Sequence, residues 1–438
     1  MLLINKLFAG GVAVPHRKNT AEMETVVMDT PSKVIIPMAQ HSGPPCRPTV
    51  KKGDIVKVGQ LIGDSDAYIS APIHSSVSGI VKRVEPMLYA SGHLVISVEI
   101  EADNKQELSE DIKAPSVNNR EQFIEAIRGS GLVGLGGAGF PSHVKLNPPK
   151  DKKIDYLIIN GAECEPYITS DYRECIEFAP YIIKGIQLVL DMLEIPRAII
   201  GIEDNKPKAI SLLKEKSKND SRISVYSLRS RYPQGAEKTL IYTVTGRKVP
   251  PGKLPADVGC LVFNVNSISF MAKYVETGIP LIKKRVTVDG PVVREPKNVE
   301  VLIGTSIGDV FEFSGGFLSK PYKVLMGGPM MGIAQYSLET SVIKNTNAIL
   351  AFDKNEGDLP PETPCIRCGR CVAACPMNLL PHEINRFVMA GRYNELDKFH
   401  ILDCIECGSC SYVCPAKRHL VQSIRLGKDA VRRNAKKA

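Results

Sequence analysis

Two stretches near the carboxyl end share one spacing. Cys365-Ile-Arg-Cys368-Gly-Arg-Cys371-Val-Ala-Ala-Cys375-Pro376 and Cys404-Ile-Glu-Cys407-Gly-Ser-Cys410-Ser-Tyr-Val-Cys414-Pro415 both follow C-x2-C-x2-C-x3-C-P. Three closely spaced thiolates on a loop suit three irons of a cubane, and the fourth cysteine opens a helix that crosses to the other cluster. The spacing therefore predicts two [4Fe–4S] clusters. Cys365, Cys368, Cys371 and Cys414 are expected on one, and Cys404, Cys407, Cys410 and Cys375 on the other. Thiolate is a soft ligand that also suits zinc, so a pair of structural zinc sites is the alternative. Zinc motifs, however, do not use this duplicated pattern with a proline after the fourth cysteine. Between the repeats, residues 382–389 and 393–399 read as short helices joined at Gly391, which would cover the clusters and keep water away.

The other four of the twelve cysteines, Cys46, Cys164, Cys175 and Cys260, are scattered and read as small buried residues. With no secretory signal to be read, clustered cysteines point to metal rather than disulfides. The chain of 438 residues is 43% hydrophobic and 24% charged, a globular balance. No stretch approaches the ~20 consecutive apolar residues that span a bilayer. The formal charge of +9 is unevenly placed: residues 416–438 hold eight cations and one anion, while the rest holds 48 cations and 46 anions. A near-neutral body argues against a nucleic-acid groove. The basic end, 421–438, has apolar residues at loose helical spacing. It is expected either to contact an acidic partner subunit or anionic headgroups, or to be a solvated disordered tail.

Residues 33–100 hold short β segments broken by Gly and Pro, among them 34–37, 55–58, 79–81 and 94–98. Lys51-Lys52-Gly53-Asp54-Ile55-Val56-Lys57-Val58-Gly59-Gln60, followed by Ala71-Pro72-Ile73-His74-Ser75-Ser76-Val77-Ser78-Gly79, resembles the barrel-sandwich hybrid fold of lipoyl and biotinyl domains. No Lys lies between Lys57 and Lys82, so the resemblance implies the scaffold without a swinging arm. A polar linker covers 102–118, and a helix is expected from Asn119 with Gln122 as capping partner. From 150 to 285, apolar strands at 154–159, 198–202, 223–228 and 261–265 alternate with helices such as 178–193, an α/β pattern with a parallel sheet. Residues 286–335 return to β character, and 352–363 form an acidic, Pro-rich linker.

Gly134, Gly136, Gly137 and Gly139 lie in Gly134-Leu-Gly136-Gly137-Ala-Gly139-Phe140-Pro141, which contains G-x-G-x-x-G. The fingerprint alone is weak, because its dinucleotide-binding use needs a strand before and a helix after, whereas here a helix precedes and a proline follows. The next strand carries more weight. It delivers Asn160-Gly-Ala-Glu163-Cys-Glu165-Pro166 at its carboxyl end, where open α/β sheets bind ligands.

Both segments resemble the NADH-oxidising flavoprotein subunit of respiratory complex I. With the barrel, the double ferredoxin motif, Gly10-Gly11-Val12, Pro15-His16, Gln40-His41-Ser-Gly-Pro and Gly327-Gly328-Pro329-Met330-Met331-Gly332 added, nearly the whole chain resembles the C-subunit family of the Rnf complex, a membrane-bound ferredoxin:NAD+ oxidoreductase. The resemblance implies an N-terminal segment with barrel-sandwich hybrid (1–110) and an α/β flavin/NADH-binding domain (111–285). A small β-grasp-like (SLBB) domain (286–350), a C-terminal double [4Fe–4S] ferredoxin-type α-helical domain (351–420) and the basic tail (421–438) would follow.

The same resemblance implies roles. Gly134, Gly136, Gly137 and Gly139 would let backbone amides approach FMN, with Lys145 near its phosphate. Asn160, Glu163 and Asn264 would bond the flavin. Phe140 would stack on the nicotinamide nucleotide and Glu165 would contact its ribose. Tyr232, Gly235 and Glu237 match the Tyr…Gly-Glu-Glu segment. Each has a plainer reading: Lys145 as a solvated lysine, Glu163 and Glu165 as solvent-facing carboxylates, Tyr232 as packing. Departures from complex I are Val133 and Leu135 in place of arginines, and Ala162 and Ala236 in place of carboxylates. The implied activity is hydride exchange between NAD(H) and FMN, with single electrons passing through two [4Fe–4S] clusters. Partners would be membrane and iron–sulfur subunits of the Rnf complex, NADH/NAD+ and, indirectly, ferredoxin, but no nucleic acid. Ion translocation would occur elsewhere in the complex, with this chain peripheral on the cytoplasmic face of the bacterial cell membrane. The alternatives are a soluble FMN/iron–sulfur NADH-dependent reductase, of the cobalamin-reductase or proline-reductase-donor type, and a non-catalytic electron-wiring adaptor.

Overall fold

The computed structural model describes residues 8–149 and 151–435. In the first third of the chain, period-2 alternation builds two small sheets. Lys33–Pro37, Leu94–Ala102, Gly79–Leu88 and Ile55–Val56 form one in that order; Arg47–Pro48, Leu61–Asp64 and Ile73–His74 form the other. Val34 pairs with Ile100 and Ile36 with Val98, so alternate side chains face inward. Together with Met38, Val56, Ile62, Ile73 and Val81 they make the core of the barrel-sandwich unit.

The helix Arg120–Gly129 starts as its cap residues dictate. Asn119 accepts from the Gln122 amide at 2.9 Å, and the Gln122 side chain accepts from the Asn118 amide at 2.9 Å. Beyond it lies a four-stranded parallel sheet in the order Ile223–Leu228, Ala198–Glu203, Tyr156–Gly161, Cys260–Asn264. Each strand begins or ends within two residues of its apolar run. Leu157, Ile159 and Phe263 pack with the helices Ala179–Met192 and Val265–Thr277, whereas Ile158, Val262 and Leu240 pack on the opposite face. Burial on both faces is what continuous apolar strands require. The chain runs outward from Tyr156–Gly161 on one side and returns on the other at Cys260–Asn264, so the switch point lies between Asn160 and its paired neighbour Asn264.

A six-stranded sheet follows, in the order Thr25–Val27, Lys297–Leu302, Lys283–Asp289, Ala348–Phe352, Lys323–Met326, Ile333–Gln335, with the helix Ile307–Phe313. Its first strand comes from the amino-terminal segment, which the sequence reading attached to the barrel. Residues 8–18 form a strap. Val12 exchanges backbone bonds with Tyr232 (2.7 and 3.0 Å), and Gly11 N donates to Ala374 O at 2.9 Å. The Lys18 ammonium donates to the carbonyls of Glu163, Glu165 and Ile168 at 2.8, 2.7 and 2.5 Å.

The cysteine segment folds into short helices, with Pro381–Met389 and the 3-10 turn Tyr393–Phe399 packed beside Leu420–Ala435. This last helix corrects the expected tail. Leu420, Val421, Ile424 and Val431 join the core around the cysteines, because their helical spacing meets an apolar face already present there. Part of the basic charge is spent inside the unit: Lys428 bonds Cys404 O (2.9 Å) and Glu406, and Arg425 bonds Glu406 at 3.0 Å. A Cβ at Gly427 would lie 2.7 Å from the side chains of Ile401 and Val388.

Lys344 ties three units together, donating to Pro72 O (2.6 Å) and Gly131 O (2.7 Å) while its amide donates to Gln40 (3.1 Å). Burial pushes its ammonium down to about 7. The unfolded chain therefore binds a proton there that the folded chain does not between pH ~7 and ~10.5, and this residue makes stability rise with pH across that window. Urea unfolding of the cluster-loaded protein and of its Lys344→Met variant at pH 7 and 9 should show the variant gaining less stability, or losing more, as the pH rises. Gly427→Val should lower stability by about 1–3 kcal/mol through overpacking, read in the same unfolding curves.

Candidate functional site

The glycine-rich turn projects from a buried base. Leu132, Val133 and Leu135 sit in the α/β core, Val133 pairs with Pro141, and Gly134 N donates to Phe140 O at 2.8 Å to close the loop. Gly136, Gly137 and Ala138 are exposed at its tip. The carbonyls of the turn are claimed from outside. Gly137 O accepts from Asn345 Nδ2 (2.9 Å), Ala138 O from Ser42 Oγ (2.7 Å), Gly139 O from Ser42 N (3.0 Å) and Leu135 O from Lys284 (3.3 Å). The amides of Gly136, Gly137 and Ala138 have no partner among the described residues. A turn with pinned carbonyls and open amides is an anion-binding concavity. At Gly136 a Cβ would lie 2.5 Å from Asn264 Nδ2, so only glycine lets the turn rest on the switch point.

Asn264 caps the helix Val265–Thr277 through Asn266 N (2.9 Å) and donates to Asp171 at 2.6 Å; Asn266 donates to the other Asp171 oxygen at 2.6 Å. Burial, together with neighbouring Glu163, pushes the Asp171 carboxyl up to about 7 against the pull of Lys284. Glu163 is buried, and its carboxylate accepts from the amides of Asp171 (2.7 Å) and Tyr172 (3.3 Å), satisfying the first turn of Ser170–Glu177. Asn160 donates to Gly235 O at 2.8 Å. Lys145 pairs with Glu237 at 2.9 Å and donates to Val262 O at 3.2 Å, so it is neither buried nor free. Phe140, half-buried, ends the turn. Asp171, Asn266, Ser42, Asn345 and Lys284 escaped the sequence reading. Ser42 alone stood inside a quoted motif, Gln40-His41-Ser.

The eight clustered cysteines form two quartets. Cys365, Cys368, Cys371 and Cys414 line one hollow, and Cys375, Cys404, Cys407 and Cys410 line another. Each motif thus lends its fourth cysteine to the other's triplet. Among the described residues no three His, Cys, Asp or Glu donors close on one point as a single zinc ion requires. Four cysteines lining each hollow are the donor set that a [4Fe–4S] cluster takes. The loops repeat in backbone too: Arg367 and Glu406 have φ of 53° and 56°, and Gly369 and Gly408 follow at 73° and 84°. Cys46, Cys175 and Cys260 are buried away from both quartets, and burial pushes the Cys46 and Cys260 thiols up to about 11.

Residues 127–273 match the family described as the Nuo51 FMN-binding domain, 6–105 the RnfC barrel sandwich hybrid domain, 285–334 the SLBB domain and 350–419 the 4Fe-4S dicluster domain. The chain is 47% identical, over 96% of its length and 93% of the relative's, to the C subunit of the proton-translocating ferredoxin:NAD(+) oxidoreductase complex of Clostridium ljungdahlii. It is 45% identical, over 96% of both chains, to the Na(+)-translocating counterpart of Acetobacterium woodii. To the C subunit of the ion-translocating oxidoreductase complex of Rhodobacter capsulatus it is 39% identical over 94% of this chain and 80% of that one. The chain belongs to the Rnf complex C-subunit family.

The four-part architecture expected of that family is present, with FMN and two [4Fe–4S] clusters as its cofactors. No helix of the described residues is long and apolar enough to cross a membrane. The departures from complex I have a structural reason at two positions. Val133 and Leu135 are at most 3% exposed and anchor the turn in the core, a place that rejects an unpaired arginine. Tyr232 and Glu165 form a group of their own. Tyr232, 1% exposed, donates to Cys407 O at 2.5 Å and lies 3.5 Å from Glu165, which accepts from Met330 N at 3.0 Å. Enclosure by protein pushes the Glu165 carboxyl up to about 7. Glu163 and Glu165, two residues apart, therefore serve different seams, one inside the α/β unit and one facing the second quartet.

Gly136→Ala should weaken FMN binding at least tenfold, measured by quenching of flavin fluorescence. Ser42→Ala, which frees the carbonyl of Ala138, should weaken it about threefold to tenfold, the equivalent of about 0.7–1.4 kcal/mol.

Proposed function

We propose that this chain is the NAD(H)-reacting subunit of its complex, seated peripherally on the cytoplasmic face of the cell membrane, and that its residues hold FMN in the glycine-rich cradle and the two clusters on the two cysteine quartets. When bound, FMN exchanges hydride with NAD(H) and the clusters carry single electrons. The observation that carries this reading is the open-amide turn at the switch point, joined through the α/β unit and the Tyr232–Cys407 bond to the second quartet.

Each residue has a part in it. The amides of Gly136, Gly137 and Ala138 receive the flavin's anionic and carbonyl oxygens, with Gly134 and Gly139 shaping the turn on either side. Lys145 shares its charge between Glu237 and the phosphate, which a half-exposed ion pair permits because such pairs are worth little. Asn160 and Asn264 orient the ring and ribityl chain; Glu163 acts by fixing the helix that carries Asp171. Gly235 holds Asn160 in place. Phe140, at the mouth of the turn, offers a face to the nicotinamide nucleotide, while Glu165, held by Met330 N and Tyr232, braces the seam with the second quartet. Tyr232 keeps the second quartet against this body.

Anaerobic titration of the reconstituted chain with NADH tests the reading. Flavin and cluster absorbance should both bleach, with about one NADH consumed per two electrons taken up. A chain that binds no flavin, and whose clusters NADH leaves oxidised, would be the wiring adaptor instead.

A further inference from the structure

The two quartets are not equivalent. The second is pressed against the flavin-binding half: Tyr232 bonds Cys407 O at 2.5 Å, and a Cβ at Gly408 would lie 2.6 Å from Met330 O. The strap lies on it as well, since a Cβ at Gly10 would lie 2.6 Å from the Cys375 carbonyl. Cys375, Cys407 and Cys410 are all buried. The first quartet faces the other way. Cys365 and Cys368 are exposed, as is every residue from 358 to 370, and Ile366 is 68% exposed.

The surface around that first quartet carries uncompensated positive charge. Arg367, Arg370 and Lys417 are exposed and, among the described residues, none has a carboxylate within 4 Å. The nearby carboxylates are occupied, Glu383 by Arg386 and Glu362 by Arg418. An exposed apolar side chain beside thin cover over a one-electron centre, ringed by unpaired cations, attracts a partner of opposite charge and steers its approach.

We infer that the quartet of Cys365, Cys368, Cys371 and Cys414 is the outer one, and that Ile366, Arg367, Arg370 and Lys417 form the docking face for a protein that presents carboxylates around its own one-electron centre. The inference rests on the reading above. NADH gives NAD+, one proton and two electrons; the electrons cross this face singly, each reducing the partner's centre by one.

Two measurements on the cluster-loaded full chain test it. In the first, the remaining subunits of the complex, purified without this one, are the binding probe. Affinity should fall at least tenfold between 50 and 500 mM salt. Arg367→Glu with Arg370→Glu and Lys417→Glu should cost at least tenfold at low salt and abolish most of the salt dependence, while NADH still bleaches flavin and clusters. Where charge reversal lowers iron content, the three Gln replacements should give the same trend at smaller amplitude. Unchanged affinity overturns the docking face, and so does loss of a self-associated form of the chain on charge reversal, which would assign the face to a second copy. In the second, rapid-freeze electron paramagnetic resonance follows reduction by NADH. Cys365→Ser should leave the remaining cluster rapidly reducible; Cys404→Ser should leave the remaining cluster slow with NADH yet reducible by dithionite. The opposite pattern overturns the order. If NADH reduces nothing in the unaltered chain, the proposed function fails, while the binding measurement still reads the docking face on its own.

Discussion

The carbonyls of Leu135, Gly137, Ala138 and Gly139 accept from Lys284, Asn345 and Ser42, residues that lie far apart in the chain. A peptide carbonyl and its following amide point in opposite directions, so capturing the oxygens from behind aims the amides forward. The barrel and the six-stranded sheet are therefore parts of the cradle, through the side chains that hold its carbonyls. Buried Lys344 extends the same logic, using backbone oxygens of the barrel and the α/β unit as its partners in place of a carboxylate.

This arrangement explains how one chain combines a two-electron site and one-electron sites without a flexible joint between them. Glu165, Tyr232, Met330 and Cys407 meet at a seam shared by the α/β unit, the six-stranded sheet and the cysteine unit. Val12, Ala374 and Cys407 close an apolar patch around the Tyr232 ring. Burial of a large aromatic with its hydroxyl satisfied fixes the second quartet relative to the switch point.

Much of this was legible in the residue order, and the parts that were not share a cause. The cysteine spacing predicts Cys375 with the second triplet and Cys414 with the first, and the two hollows are lined by the same groups. The four parallel strands showed as apolar runs because both their faces are buried. What stayed hidden depends on pairing across the chain. Thr25–Val27 is a strand only because Lys297–Leu302 offers it an edge, and nothing in the sequence around Tyr232 points to Cys407 as its partner. Leu420–Ala435 read as a tail because its charge stood out against a near-neutral body, while the apolar residues that bury it are spread over three turns. Ser42 and Asn345 carry no motif of their own; they matter through the carbonyls they reach.

The strap of residues 8–18 ties the order in which the fold closes to distant parts of the chain. Gly11 bonds Ala374, Val12 pairs with Tyr232, and Thr25–Val27 pairs with residues 298–300. Residues 11–27 thus depend on partners that lie hundreds of positions later in the chain. Such long-range closure is slow and comes late in folding. Until the strap closes, the second quartet lacks the wall that Gly10 and Gly11 give it beside Ala374 and Cys375. Closure of the strap against Cys375 therefore couples the packing of the second quartet to completion of the whole fold.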